Sequence, residues 1–235
     1  MPDAEAVTGE ALIRPAYTAD QVRAAEAPLL TAGEPLMDRA AAALATIVGR
    51  VTPAGRRILV LVGGGDNGGD ALLAGAALAE SDREVDILTV ADRSHERGAA
   101  AARAAGCRRV ELAEAVVAAE AGEYAVIVDG MLGIGARGGL RGAAGETAAT
   151  LSGAVGRDRT PVIAVDLPSG LDPDTGEAGA DVLPASTTVT FGAPKIGLAR
   201  GRGAQLAGRV VLVELGLALT EADSPGTVTA EIYRA

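Results

Sequence analysis

The chain has 235 residues, a length that suits a single α/β domain. Hydrophobic residues make up 49% of it but aromatics only 2%, so a sizeable core has to be assembled from Ala, Val, Leu and Ile. The formal charge of −10 opposes phosphate backbones and anionic membrane surfaces, which argues against nucleic acid and membrane as partners.

One cysteine, Cys107, excludes an internal disulfide, and one histidine, His95, excludes a His-rich metal site. Cys107 reads as a small buried residue, and His95 as a solvated residue behind a cap at Ser94. The longest apolar runs, near Ile58–Val62 and Val210–Val213, are far short of a membrane span, and the N-terminus has no basic-then-apolar signal pattern. These features are expected of a cytoplasmic protein.

In chain order, residues 1–16 read as peripheral and loosely ordered, with prolines at 2 and 15. Thr18 to Leu30 is a predicted helix, with Thr18 and Gln21 at capping-box spacing. A second helix is expected from about Pro35 to Val48. Arg57 to Val62 reads as a buried strand feeding the glycines at 63–65, followed by a helix over Gly69 to Glu80. Val85 to Val90 is a strand and Ser94 to Ala105 a helix. Val110 opens a short strand, and Glu114 to Ala121 is helical. Tyr124 to Val128 is a strand ending at Asp129, then Glu146 to Val155 a helix. Val162 to Val165 is a strand ending at Asp166, and Thr187 to Phe191 and Arg209 to Val213 complete the strands. Residues 218–235 read as a peripheral tail with an edge strand. Such alternation makes a mostly parallel sheet covered on both faces, here with two leading helices.

In open parallel sheets ligands bind beyond the carboxyl ends of the strands, so the loops there carry the chemistry. The first loop is GGGDNGGDAL, residues 63–72. Gly63, Gly65 and Gly68 match a dinucleotide fingerprint, and Asp92 stands where a ribose-binding acid would be. Yet Asp66 and Asp70 would oppose a pyrophosphate in this turn unless a cation intervenes. The second loop, VDGMLGIGARGGLRG (residues 128–142), combines glycines with Arg137 and Arg141, a plausible phosphate clamp. In the third, IAVDLPSGLDPDTG (residues 163–176), a strand delivers Asp166, a candidate acid/base. Asn67, Asp129 and Ser169 all fall at or just past strand ends and offer oxygen ligands without nitrogen or sulfur, a set for a hard cation. Lys195, in FGAPKIG, is the only lysine; a chain that otherwise uses arginine keeps a compact ammonium there.

These loops resemble those of the YjeF N-terminal domain family, the NAD(P)HX epimerases. GGGDNGGDA resembles the family's GxGNNGGDG, VDGMLGIGARGGLRG its VDALxGTGLRG, and VDLPSGLDPDTG its VDIPSGLDADTG. TVTFGAPKIGLA (residues 188–199) and the helical start TADQVRAAEAPLLTAGEPLMDRAA are also similar to family segments. Four motifs in the right order are more specific than any one of them.

The resemblance implies a Rossmann-like three-layer αβα sandwich, commonly a homodimer. Its substrates would be the (R) and (S) epimers of NADHX and NADPHX, hydrated at carbon 6 of the nicotinamide ring, and its ion potassium. Carried over by motif, Asn67, Asp129 and Ser169 would bind the ion. Asp66, Asn67, Gly68, Gly69, Asp70, Gly133, Ile134, Gly135, Ala136, Arg137, Gly138, Gly139 and Asp166 would bind substrate. Asp166 and Lys195 are the candidate catalytic residues. Asp66, Gly130, Ile134 and Ala136 depart from the family's Asn, Ala, Thr and Leu. Many relatives fuse this domain to an ADP- or ATP-dependent dehydratase; this sequence ends at Ala235, so that partner is expected as a separate protein unless the chain is a fragment. A non-catalytic nucleotide- or protein-binding module and, more remotely, an NAD(P)-dependent oxidoreductase remain as rival readings.

Overall fold

The computed structural model describes residues 8–135, 138–154 and 160–234. Nine strands form one sheet in the order β1-β9-β8-β7-β6-β5-β2-β3-β4. They are β1 (Thr8–Ala16), β2 (Arg57–Val62), β3 (Glu84–Thr89), β4 (Arg108–Arg109), β5 (Tyr124–Gly130), β6 (Val162–Val165), β7 (Thr187–Phe191), β8 (Arg209–Val213) and β9 (Gly226–Tyr233). Every pairing is parallel except β1 with β9. The helices are α1 (Ala19–Thr31), α2 (Leu36–Val51), α3 (Asp66–Ala79), α4 (Glu96–Ala104), α5 (Leu112–Glu120), α6 (Gly142–Ala154) and the short α7 (Gly203–Leu206).

Alternation along β2 shows why the sheet is a middle layer. Ile58, Val60 and Val62 pack with α2 and α3 on one face, while Leu59 and Leu61 pack with α5 and α6 on the other. All five are fully buried, the continuous apolar run that a parallel strand covered on both sides requires. Toward β8 the second face is covered differently. Leu167, Leu171, Val182, Leu198 and Leu206 close over Val210 and Leu212 from irregular segments and short helices. The scarcity of aromatics is met by close approach: a Cβ placed on Gly75 of α3 would lie 3.5 Å from the Val85 side chain and 3.6 Å from those of Ile87 and Val60.

Two expectations need correction. The N-terminal stretch is not loose over its described part, because Thr8–Ala16 forms β1, and the C-terminal tail is not an edge, because β9 lies between β1 and β8. Leu12 and Ile13 are exposed, so no burial pattern announced β1; main-chain pairing makes it a strand, and an edge tolerates Pro15, which has no N–H to donate. Residues 1–7 lie outside the described residues.

Helix ends shifted as well. The capping box at α1 is present, Gln21 N donating to Thr18 Oγ1 at 3.3 Å and Thr18 N to Gln21 Oε1 at 2.9 Å. The cap of α4 is His95 rather than Ser94: its Nδ1 accepts from Gly98 N at 3.2 Å, so the lone histidine has a structural task. Cys107 is half-buried against Gly75 O, and burial pushes its thiol up to about 11, away from a reactive thiolate. Helix α6 begins at Gly142, before the expected Glu146, and the expected end at Val155 lies outside the described residues.

The sheet order places the site. The chain leaves β2 for β3 and β4 on one side, then returns to β5 on the other, so the switch point lies between β2 and β5. Crevices outside the carboxyl ends of strands open at such a point.

Candidate active site at the carboxyl edge of the sheet

Helix α3 starts at Asp66, three residues before the expected Gly69, with Gly65 at its cap. Asp66 and Asn67 are therefore in its first turn, where an acid offsets the free amides and positive end of the helix. The glycines before and within this turn serve packing. A Cβ on Gly63 would lie 1.7 Å from Met131 O, and one on Gly68 2.1 Å from Gly63 O. Gly69 is packed against His95 and Met37. Gly68 and Gly69 are buried and do not line the cleft described below.

Strand β6 ends at Val165, and Asp166 follows with φ +67°, one of two non-glycine positive-φ residues described. Such a backbone is uncommon outside glycine and is held only by its surroundings. Asp166 N donates to Val189 O at 2.7 Å. Its Oδ1 accepts from Thr190 Oγ1 at 3.2 Å, from Phe191 N at 3.3 Å, and from the ammonium of Lys195 in a short ion pair. Lys195 Nζ also donates to Phe191 O at 3.0 Å. Lys195 is 1% exposed and Asp166 4%, so two charges are held almost out of water and matched to each other.

Around this pair lies a cavity of about 160 Å³. Leu30, Leu36, Met37, Ile134, Phe191 and Leu215 give it apolar walls, and Glu26, Asp66, Asn67, Asp70, Asp166 and Lys195 its polar features. It is smaller than the roughly 300–1,000 Å³ usual for whole drug-sized ligands, and so fits one ring of a larger molecule. Asp70 is 7% exposed, and its Oδ1 has no hydrogen-bond partner. Burial, then the negative charges of Asp166, Asp66 and Glu26, push its carboxyl up to about 8.

The three candidate cation ligands meet just behind the cleft. Asp129 is fully buried at the end of β5; its Oδ2 accepts from Ser169 N at 2.9 Å and its Oδ1 from Ser169 Oγ at 2.6 Å and Met131 N at 3.3 Å. Ser169 Oγ in turn accepts from Leu132 N at 2.9 Å. Asn67 Nδ2 donates to Leu132 O at 3.1 Å and Val165 O at 2.6 Å, so two backbone carbonyls converge beside it. Burial raises the Asp129 carboxyl above its ordinary value against the opposing pull of the hydrogen bonds from Ser169 and Met131, and among the described residues only neutral donors bond to it. Among the described residues no group of three or more His, Cys, Asp or Glu could hold a metal. The donor chemistry of this cluster is instead carbonyl, amide, hydroxyl and one carboxylate, an all-oxygen set suited to a hard cation.

The remaining sequence candidates scatter. Gly133 packs on the Asn67 side chain, where a Cβ would sit 2.3 Å from Oδ1. Gly135 is exposed, and Gly138 and Gly139 line two neighbouring cavities, one with Gly170, Leu171 and Asp172, the other with Gly63, Gly64 and Arg141. Ala136 and Arg137 lie outside the described residues. Asp92 is exposed beyond β3 and lines neither the cleft nor these cavities. Sequence reasoning missed Glu26, Thr190 and Met37. Glu26 had a signal: it stands four residues after Val22, a buried residue of α1, and so on the helix face turned inward.

No described helix is long and apolar enough to cross a membrane. Residues 33–197 match the family model described as "YjeF-related protein N-terminus". An NAD(P)H-hydrate epimerase of Microbacterium testaceum is 55% identical, the alignment covering 86% of this chain and 78% of that one. Another, of Clavibacter michiganensis, is 50% identical over 90% of this chain and 95% of that one. The bifunctional NAD(P)H-hydrate repair enzyme Nnr of Mycobacterium tuberculosis is 40% identical over 92% of this chain but only 44% of its own length. Among solved structures, yeast ynu0 superposes with a TM-score of 0.70 at 18% identity, covering 79% of this chain and 84% of that one, a likeness of fold.

Proposed function

The chain belongs to the YjeF-related N-terminal family, and from that premise we propose that it is an NAD(P)H-hydrate epimerase, an isomerase that interconverts the (R) and (S) forms of NADHX and NADPHX. The observation that carries the reading is the buried Asp166–Lys195 pair in an apolar-walled, ring-sized cleft at the sheet's carboxyl edge.

Inverting a hydrated carbon next to a ring nitrogen requires the hydroxyl to leave, or the ring to open, followed by re-addition from the other face. Either route needs a group that gives and takes a proton at the hydroxyl. Asp166 has that role. Its Oδ1 is held by Lys195, Thr190 and the Phe191 amide, which fixes the carboxylate and leaves Oδ2 for the substrate. Lys195 supplies the counter-charge and holds the Asp166 carboxylate in place. Leu30, Leu36, Met37 and Leu215 exclude water around the ring.

The cation is potassium, held by Asn67, Asp129 and Ser169 with help from the carbonyls of Leu132 and Val165. The residues fit it because a buried carboxylate without a cationic partner lies among hard oxygens. When bound, potassium supplies positive charge at the start of α3, where Asp66 and Asp70 would otherwise repel the substrate's phosphates. Asp66, Asn67 and Asp70 with the loop from Gly133 to Gly139 hold the nucleotide. The protein acts in the cytoplasm as a homodimer, in functional coupling with an ADP- or ATP-dependent dehydratase. The fused relative, of which this chain matches less than half, supports that coupling.

The test uses NADHX enriched in the R epimer, followed by epimer-resolving chromatography in potassium buffer. Rapid approach to the R/S equilibrium is expected, slowed about 10²–10⁴-fold in a folded Asp166→Asn variant. No acceleration over the spontaneous rate by the folded wild-type protein refutes the reading.

A further inference from the structure

Of the ionisable residues that line the cleft, Glu26 is the one with no role in the pair, the cation cluster or the nucleotide contacts proposed above. Glu26 lines the cavity from α1, half-buried, and its carboxylate has no hydrogen bond or ion pair among the described residues. Chance surface placement would leave such a side chain in water. Here α1 is tied down around it. Tyr17 N donates to Pro194 O and Ile196 N to Tyr17 O, both at 2.9 Å, so the chain entering α1 brackets Lys195. Ala19 N donates to Asp174 Oδ1 at 2.7 Å, Gln21 Nε2 to Asp223 O at 2.7 Å, and Arg23 to Ile134 O. The helix that carries Glu26 is thus fixed from four segments of the active edge.

The charges facing Glu26 are Asp66 and Asp70 from α3, Asp166 and Lys195 from beyond β6 and β7, and Arg23 from its own helix. Burial is the main influence on it and raises its carboxyl above the ordinary glutamate value. Nearby Asp70, more than nine-tenths buried with an unpartnered Oδ1, carries its proton near neutrality for the same reasons. Even with Asp70 and Glu26 protonated, the carboxylates of Asp66 and Asp166 face one buried ammonium in this apolar-walled space, and Glu26 adds a further negative charge once it gives up its proton. Such a surplus of fixed negative charge stabilises positive charge developing in a bound ring.

We propose that Glu26 is a further catalytic residue of this site, a second proton donor and acceptor beside Asp166 for the hydroxyl at the hydrated ring carbon, and that the reaction passes through a cationic iminium ring. The Glu26 carboxyl gives its proton to the hydroxyl oxygen. The carbon–oxygen bond breaks with its electron pair going to oxygen, and water departs. The lone pair of the adjacent ring nitrogen forms the carbon–nitrogen double bond. Water then adds to the other face, giving one proton to a carboxylate and returning the pair to nitrogen, so atoms, charge and oxidation state balance. Asp166 and Glu26 come from different elements, which supplies two proton-handling groups for two directions of approach.

This inference rests on the epimerase reading, and the experiment separates the two. Wild-type, Glu26→Gln and Glu26→Asp proteins, matched for thermal stability, are assayed for kcat and KM with R-enriched NADHX, and the product oxygen is followed in H₂¹⁸O. Expected are a kcat about 10²-fold lower for Glu26→Gln with little change in KM, partial recovery in Glu26→Asp, and one solvent oxygen incorporated per inversion. A Glu26→Gln variant within about twofold of wild-type kcat, or inversion with the original oxygen retained, overturns the proposal while leaving the epimerase intact. A wild-type protein that does not accelerate epimerisation removes both.

Discussion

Asp129 and Asp166 stand at the ends of adjacent parallel strands, both nearly or fully buried, yet their surroundings differ in one respect. Asp166 is matched to the ammonium of Lys195, whereas among the described residues Asp129 bonds only to amides and a hydroxyl. Removing a carboxylate from water costs several kcal/mol, offset only by good hydrogen bonds and a counter-charge. The Asp166 site carries its counter-charge in the covalent chain and is complete as folded. The Asp129 site has the hydrogen bonds without the cation, and so has a use for one from solution. On the proposed reading, the same residue type serves as a proton-handling group at the end of one strand and as a cation seat at the end of its neighbour.

Breaking the internal pair should have the largest effect on stability. Lys195→Met leaves Asp166 buried without its partner and is expected to cost about 3–5 kcal/mol, most of it recovered in the Asp166→Asn/Lys195→Met double variant. Denaturant titration of the four proteins checks this. A single variant as stable as wild type would show that the pair is not electrostatically matched.

Asp70 sharpens the comparison, since it is buried without an ion pair or a hydrogen-bond partner for Oδ1 among the described residues, and the acids around it outweigh the pull of Lys195. Its folded pKa of about 8 lies above its ordinary 3.8, so the folded state keeps a proton that the unfolded state gives up. The contribution to stability is therefore lost as pH rises from about 4 to about 8 and is level above that. Relative to Asp70→Asn, the wild type should lose on the order of 1 kcal/mol per pH unit between pH 5 and 7. Stability curves that run parallel for the two proteins would contradict the burial argument.

The smallest effect concerns the incomplete site. Potassium should raise the wild-type melting temperature by an amount equivalent to about 1–3 kcal/mol at saturating salt, with sodium at equal ionic strength as the control. Asp129→Asn should lose that increment. An equal increment in both proteins would place the cation elsewhere.

The sequence by itself determined the parallel strands, the loops that matter and the residue types in them. Buried strands such as Ile58–Val62 announce themselves by unbroken apolar runs, and glycine loops by composition, because these are local properties. Asp166, Lys195, Asn67, Asp129 and Ser169 were legible as candidates because each follows or ends a strand. What they bond to was not legible. The Asp166–Lys195 pair spans 29 residues and the Asp129–Ser169 contact 40, separations no local pattern encodes. Strand β1 was invisible for a related reason: its partner β9 lies at the far end of the chain, and its own side chains are too exposed to leave a hydrophobic signature. Glu26 joined the cleft only when the folded chain laid α1 across the strand ends. Counter-charge, burial and neighbourhood are relations between distant segments, so the tertiary structure alone decided which carboxylate would be paired and which left needing a cation.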